Sequence, residues 1–473
     1  EADDRLALLQ SNPALIGGRS PYARLQQFAG ALYGPVVASG VAAWQGLDGN
    51  FWGHNAIIRV AAFAESAGLP HLDGRKPFGG HVLSHDFVEA ALLRRAGWDV
   101  RMDPDLEGSW EGAPPSLAAA GVRDRRWAQG NIQHLNVIHT RGLRWPNRVH
   151  FTIGVCSYMM SPLWLALLLV GLALTIQVTL FKPTYFSETF QLFPNWPKFD
   201  ALRMSWLFVG SMALLLLPKF VGLARTLVSA RRRHRFGGGF RVVGSAFLEI
   251  LLSALFAPIL MLIQCRHVVE ILAGRDSGWA PQERGGKVMA WKEVWRLHGL
   301  HALVGAVMTV GLYLYRPEML VWLSPILVGL VLAPWLSRFS GDERWGEQLQ
   351  HAGLLQTPEE RSTPHALTVA EAAAERLRRR MGNDLDHLAG DERLALAHLM
   401  ALEPSPYEGK SVQEEDPDKL DRITAAAKIE AARSPAEALG WMTPAEKALL
   451  ACEPALFAEW SGVRIPGRTG HGA

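Results

Sequence analysis

Residues 151–181 read FTIGVCSYMMSPLWLALLLVGLALTIQVTLF, a run without Asp, Glu, Lys or Arg. About 20 helical residues already cross the hydrocarbon of a bilayer, and in lipid only a helix or a closed barrel satisfies its own backbone. The run therefore reads as a membrane span, and it divides the chain. Downstream, Met204–Ala224 is broken only by Lys219, near one end, where a lysine can snorkel to the interface. Val242–Cys265 carries one acid, Glu249, while Leu297–Tyr315 and Met319–Ser337 carry no charge. Residues 149–338 form a membrane-helical region in this reading.

Upstream, residues 1–148 read as a soluble α/β region. Short apolar runs (Ala56–Val60, His81–Leu83) alternate with helical stretches such as Ser84–Ala96, and Gly17-Gly18, Gly79-Gly80 and Pro114-Pro115 punctuate the joins. Such alternation predicts a layered α/β fold. Glu1 to Leu6 reads as the interior of a helix with no initiator Met, so an upstream part is expected to be missing. Residues 339–473 form a polar, mostly helical tail. Within it Ala370–Met381 is a strong helix pattern, and Glu403–Lys419, rich in Pro and acids, reads as a linker.

Orientation follows from basic residues. Arg225, Arg231, Arg232, Arg233, Arg235 and Arg241 crowd the loop after the second span, which predicts that this loop is cytoplasmic. The loop Lys182–Asp200 is poor in basic residues and is expected on the outside. The soluble region and the tail then both face the cytoplasm. The stretch 242–273 must return to the side it left, as a hairpin kinked at Pro258, a re-entrant segment or an interfacial helix. A net charge of +3 gives no argument for nucleic acid. Cys156, Cys265 and Cys452 lie far apart and form neither a metal-binding spacing nor a disulfide framework.

The residues with chemical potential come in three groups: Trp52-Gly53-His54-Asn55, Ser84-His85-Asp86, and Arg123-Asp124-Arg125-Arg126-Trp127. Ser84 can cap a helix whose first turn holds Asp86, where the helix dipole favours a carboxylate. Such an acid is either an ordinary surface residue or a base able to take a proton from a sugar hydroxyl. The arginines are suited to a leaving diphosphate, and Trp127 to stacking on a sugar ring. A basic helix lying on the membrane has the same composition. His54, His71, His81 and His85 do not have zinc spacing, and no metal site is assigned within this chain. Trp44, Phe51 and Trp52 are either core or a sugar platform.

These residues carry a resemblance. Tyr22-Ala23-Arg24-Leu25-Gln26-Gln27-Phe28, Trp52-Gly53-His54-Asn55-Ala56-Ile57-Ile58-Arg59, Ser84-His85-Asp86-Phe87-Val88-Glu89 and Asp124-Arg125-Arg126-Trp127 resemble the glucosyltransferases of osmoregulated periplasmic glucan synthesis, a family-2, cellulose-synthase-like processive group. The resemblance runs from about residue 6 to about 337. It implies that residues 1–148 are the C-terminal part of a GT-A-like domain, so that the fold class is α/β plus membrane α-helical. It implies Asp86 as general base, and Arg123, Arg125, Arg126 and Trp127 as the site for the diphosphate and the acceptor end. Arg123 stands where cellulose synthases have Gln. Gln10, Trp52, Gly53, His54, Asn55 and His85 are implied as lining the donor or acceptor cleft, and Pro281, Gln282 and Arg284 as part of a gating loop within an interfacial segment near 266–298.

The resemblance further implies UDP-glucose as donor, a β-1,2-glucan as acceptor and product, and Mg²⁺ or Mn²⁺ held mainly by an Asp-x-Asp motif upstream of residue 1. The polypeptide by itself is then expected to be inactive. A bacterial inner-membrane location, a periplasmic glucan-modifying partner and acyl carrier protein are implied in the same way; nucleic acid is not. Two alternatives stand beside it. One is another family-2 product such as cellulose; the other is a transporter with a cytoplasmic regulatory domain, for which Glu249 is the clearest intramembrane charge. Deleting Pro281 to Arg284 from the full-length protein is expected to cut turnover; unchanged turnover would remove the gating role.

Overall fold

The computed structural model of the protein describes residues 3–180, 201–275, 288–381, 385–402 and 419–463. These fall into two compact units, Glu1–Ser362 and Thr363–Ala473. The first begins with β1 (Leu6–Ser11), β2 (Ala14–Ile16), α1 (Pro21–Leu32), α2 (Gly34–Gln45), β3 (Ala56–Ile58), α3 (Val60–Ser66), α4 (His85–Arg95), β4 (Asp99–Asp103), β5 (Trp110–Gly112) and α5 (Leu117–Val137). β1 is central in a mixed sheet ordered β3-β1-β4, antiparallel to β3 (Leu8 opposite Ile58) and parallel to β4 (Leu9 opposite Arg101). β2 and β5 pair in parallel as a second, small sheet.

Two local expectations change. Asp3 to Arg5 form a turn, in which the Arg5 N–H donates to Asp3 Oδ1 at 3.0 Å, and Leu6 onward is strand, not helix. Pairing on both edges outweighs the helical propensity of the stretch. His81 to Leu83 are not a strand. The Gln133 side chain takes the place of a ladder there, accepting from the Leu83 N–H (3.0 Å) and donating to the His81 carbonyl (2.9 Å).

The same unit continues with α6 (Trp145–Leu180), α7 (Ala201–Val228), α8 (Ala230–Arg235), α9 (Gly239–Leu272), α10 (Trp291–Tyr315), α11 (Met319–Val331), α12 (Ala333–Gly341), α13 (Glu343–His351) and α14 (Pro358–Arg361). Among the described residues four helices, α6, α7, α9 and α10, are long and apolar enough to cross a bilayer. A fifth is counted if α11 and α12, bent by 62° at Leu332, are one span. Pro334, in the first turn of α12, has no N–H with which to continue the ladder of α11. This is a membrane protein: an α/β domain followed by a bundle of long apolar helices.

α9 is one continuous helix of 34 residues, about 51 Å long at the usual rise. It touches the α/β domain along its C-terminal half. Phe256 meets the Tyr22 ring of α1 edge-on at 5.8 Å, Gln264 donates to Asp124 of α5 at 3.3 Å, and Val268 and Ile271 pack on Ala128 and Ile132 of α5. Its opposite side leaves Phe240, Phe247, Leu251 and Val269 exposed.

Residues 339–362, expected as the start of the tail, belong to the first unit. Arg24 of α1 grips Glu360 with two bonds of 2.6 and 3.0 Å, and Gln27 donates to Thr357 at 2.9 Å. The second unit is helical: α15 (His365–Met381), α16 (Leu385–Gly390), α17 (Glu392–Ala401), α18 (Lys419–Ala431), α19 (Pro435–Trp441), α20 (Pro444–Cys452) and α21 (Pro454–Ser461). It packs around Leu399, Ala425, Leu450, Phe457 and Trp460. Of the expected linker Glu403–Lys419, residues 403–418 lie outside the described residues and Lys419 begins α18; the expected outer loop 182–200 also lies outside them.

Lys219 does not end in water. Its ammonium donates to both carboxylate oxygens of Glu249 (2.7 and 2.8 Å), a pair that joins α7 to α9 where little solvent reaches either group. Glu249 Oε1 also accepts from Ser253 at 2.9 Å. Removing one partner strands a buried charge. Glu249→Gln or Lys219→Met alone is expected to cost about 3–5 kcal/mol, whereas Lys219→Met with Glu249→Leu should recover most of it. Thermal unfolding in detergent measures both.

Candidate active site

The site is built where α4, α5 and the first turns of α6 meet the loop before β3. α4 begins at His85, with Asp86 in its first turn. Ser84 sits at the N-cap position, but its side chain does not cap the helix as expected. It is packed into α5 at Gly130, where a Cβ would fall 2.1 Å from Ser84 Oγ, while the Ser84 carbonyl bonds His134 Nε2 at 3.1 Å. The start of α4 is therefore held by α5.

Gly53 explains the small-residue turn. A Cβ there would lie 2.6–2.8 Å from the atoms of the Asp86 carboxyl group, and its φ of +84° suits glycine. The loop is tied from below by Gln10, which is almost wholly buried, accepts from the Trp52 N–H (3.0 Å) and donates to the His54 carbonyl (2.8 Å). Gln10 thus holds the cleft wall rather than lining it. Asn55, at φ +53°, donates to Ser109 at 2.6 Å, and His54 Nδ1 lies 2.7 Å from Asn55 Oδ1 and 3.1 Å from Glu111.

Between these elements is a cavity of about 630 Å³. Asp86, Trp52 and His54 line it with Trp127, as do Asn12 and Pro13 beyond Gln10 and Trp44 of the aromatic cluster. His150, Ile153, Gly154, Ser157 and Tyr158 of α6 close it from the membrane-helix side. The volume is within the range of small-molecule sites. Sequence reasoning missed this α6 face, because the run was read only as a span. Its signal was present: positions 150, 153, 154, 157 and 158 recur at helical spacing. Asn131 was missed as well; its Nδ2 donates to the Trp127 carbonyl (2.9 Å), and its buried Oδ1 has no partner.

The arginines divide. Arg123 stacks its guanidinium 4.3 Å from the Trp127 ring centre. Arg125 turns away to α9, donating to the Arg275 carbonyl at 2.7 Å and lying 3.6 Å from Glu270. Arg126 is half-buried on the same helix. None of the three lines the cavity. Pro281, Gln282 and Arg284 lie outside the described residues.

Burial raises the pKa of Asp86; the His85 ring, the Asp86 backbone N–H and then His54 pull it back. His85 Nδ1 lies 3.2 Å from Asp86 and 3.0 Å from Glu89, whose own pKa burial also raises. His85, Asp86 and Glu89 bring one ligand atom each within 4.8 Å of one another, a spacing at which a metal ion could be held. The sequence reading assigned no such cluster. Within the trio His85 Nδ1 is hydrogen-bonded to Glu89 Oε1 at 3.0 Å.

With this geometry in view, the comparisons identify the family. Residues 36–337 match the model described as glycosyl transferase family group 2. The chain belongs to that family. It is 44% identical over 453 residues to the "Glucans biosynthesis glucosyltransferase H" of Rhodopseudomonas palustris strain TIE-1, covering 94% of this chain and 61% of that protein. The proteins of the same name from Vibrio cholerae serotype O1 (strain O395) and Shewanella baltica OS223 are 44% and 41% identical, over 97% of this chain and 63% of each relative. The chain thus spans 61–63% of the length of these relatives.

Two outcomes are expected. Gly53→Ala in the full-length protein should displace the Asp86 carboxyl and strain the backbone, lowering kcat at least tenfold with little change in expression. His85→Gln removes the ring that lowers the Asp86 pKa, so the Asp86 carboxyl should titrate at higher pH, read by infrared difference titration against Asp86→Asn.

Proposed function

We propose that the chain belongs to an inverting, processive inner-membrane glucosyltransferase that builds the β-1,2-linked backbone of osmoregulated periplasmic glucans from UDP-glucose and passes it outward. The observation that carries this reading is the cavity in which Asp86 and Trp127 share one space with the first turns of α6. A base, an aromatic platform and the entry of a membrane helix in one cavity suit a polymer that is extended at the membrane and leaves through it. The names of the relatives support glucose as the transferred unit and a glucan as the product.

In this mechanism the acceptor hydroxyl lies against Asp86. Its oxygen forms the new bond to the anomeric carbon of the donor, its proton passes to the Asp86 carboxylate, and the bond to UDP breaks with the electron pair leaving on the diphosphate. Trp127, held by Arg123, stacks the acceptor sugar. Arg126, half-buried on the same helix, meets the diphosphate, while Arg125 holds α5 to α9.

Enzymes of this family commonly use a divalent metal. Mg²⁺ or Mn²⁺ would neutralise charge on the diphosphate when bound. The His85, Asp86 and Glu89 trio fits that ion poorly: it includes a nitrogen, where such an ion on phosphates prefers oxygen ligands, and a cation on Asp86 would occupy the electron pairs that a base needs. The ion is therefore assigned to the donor and to groups other than this trio.

The topology follows. α9 is taken as an interfacial helix, because its contacts with α1 and α5 run from Phe256 to Ile271 while its far side is apolar and exposed. α6 and α7 then cross as one pair and α10 with α11–α12 as another, which leaves the α/β domain and the C-terminal unit both in the cytoplasm. The pairing of Glu249 with Lys219 also counts against ion-coupled transport, which needs a charge free to load.

The test uses full-length protein in lipid vesicles with Mg²⁺, following UDP release and glucan linkage from UDP-glucose. Wild type should make β-1,2-glucan. Asp86→Asn should bind donor yet lose about 10²–10⁴-fold in turnover, the contribution of a general base. Full turnover in the variant would make Asp86 an ordinary helix acid.

A further inference from the structure

The corner between α7, α8 and α9 gathers positive charge at the edge of an apolar surface. Six arginines lie between residues 225 and 241, and no acid occurs from 201 to 248. Arg225, Arg231, Arg235 and Arg241 are exposed. Among the described residues none of the six has an acidic partner at ion-pair distance. Partial burial, then the neighbouring Arg225 and Arg235, hold the pKa of Arg232 down, as expected where like charges crowd.

The backbone brings these charges together. Gly237 and Gly238 have φ of +88° and +113° and turn the chain sharply from α8 into α9. A Cβ on Gly237 would lie 3.0 Å from Arg361 Nη1 of α14 and 3.5 Å from Arg241 Cδ, so a seventh arginine reaches the same corner. Arg233 folds back to donate to the Leu227 carbonyl at the end of α7.

Apolar residues bracket the corner on both sides. Val228, the last residue of α7, is 86% exposed, and Phe240, at the start of α9, is 97% exposed. Phe220 on α7 and Phe247 on α9 continue that exposed apolar surface. A purely aqueous partner such as nucleic acid would leave Val228 and Phe240 in water. A bilayer accepts the apolar side chains in its acyl region and offers phosphates at headgroup level, where the guanidinium groups lie.

We propose that this corner is a binding surface for anionic phospholipid headgroups, with Arg225, Arg231, Arg235, Arg241 and Arg361 gripping phosphates and Val228 and Phe240 seated below them. Guanidinium suits the role because it offers planar, paired donors to phosphate oxygens. The surface stands on the membrane character of the helices and not on the sugar-transfer reading, and its test reads lipid contact alone.

Full-length protein is reconstituted in phosphatidylcholine vesicles containing a trace of spin-labelled phosphatidylglycerol or, in a parallel sample, spin-labelled phosphatidylcholine. The motionally restricted fraction of each label is compared at low salt. Wild type should select phosphatidylglycerol several-fold over phosphatidylcholine. Arg225→Gln/Arg231→Gln/Arg235→Gln should lose most of that preference, leaving the two lipids restricted to nearly the same extent. The matching triple Lys variant should keep part of it, and an unchanged unfolding temperature in detergent shows that the variants are folded. Equal restriction of both lipids by wild type overturns the proposal. So does full preference in the Gln variant.

Discussion

The burial of one face of α9 against α1 and α5 is the contact on which the rest of the first unit depends. Phe256 and Ile259 sit in the same buried cluster as Leu25 and Phe28 of α1, and Val268 and Ile271 close on Ala128 and Ile132 of α5. α5 carries Trp127, clamps Ser84 at the start of α4, and leads into α6. One apolar seam therefore sets the positions of Trp127, Asp86 and α6 together. Polar ties of Arg125 to Glu270 and of Gln264 to Asp124 fix the register of the seam.

The acid at the centre of the cavity is shaped by closeness of packing as much as by charge. Gly53 leaves room for the Asp86 carboxyl that any side chain would fill, and Gln10 holds that backbone in place from beneath. The resulting burial raises the proton affinity of Asp86, and His85 moderates it. A carboxylate poised in this way is a stronger base than one in water, which suits the abstraction of a proton from a weakly acidic sugar hydroxyl.

Much of this was legible in the sequence. Apolar runs of about 20 residues or more, almost free of charge, read as helices in lipid, and α6, α7 and α10 fall where those runs lie. The three short motifs that carry the family resemblance meet at one cavity through Trp52, His54, Asp86 and Trp127. Other readings failed for reasons that no local pattern contains. Leu6–Ser11 is a strand because two distant segments pair with it, and His81–Leu83 is not one because Gln133 satisfies its backbone.

By itself, the sequence determined which segments leave water, which family the chain belongs to and which side chains are suited to sugar transfer, because composition, periodicity and residue type are local properties. Only the tertiary structure decided that α9 lies along the α/β domain, that Lys219 pairs with Glu249 instead of ending in water, that Gln10 supports the cleft and that Arg125 points to α9. Each of these is a choice between partners tens to hundreds of residues apart. The choice is made by burying the most apolar surface while leaving few polar groups without a bond, and that balance exists only once the chain is packed.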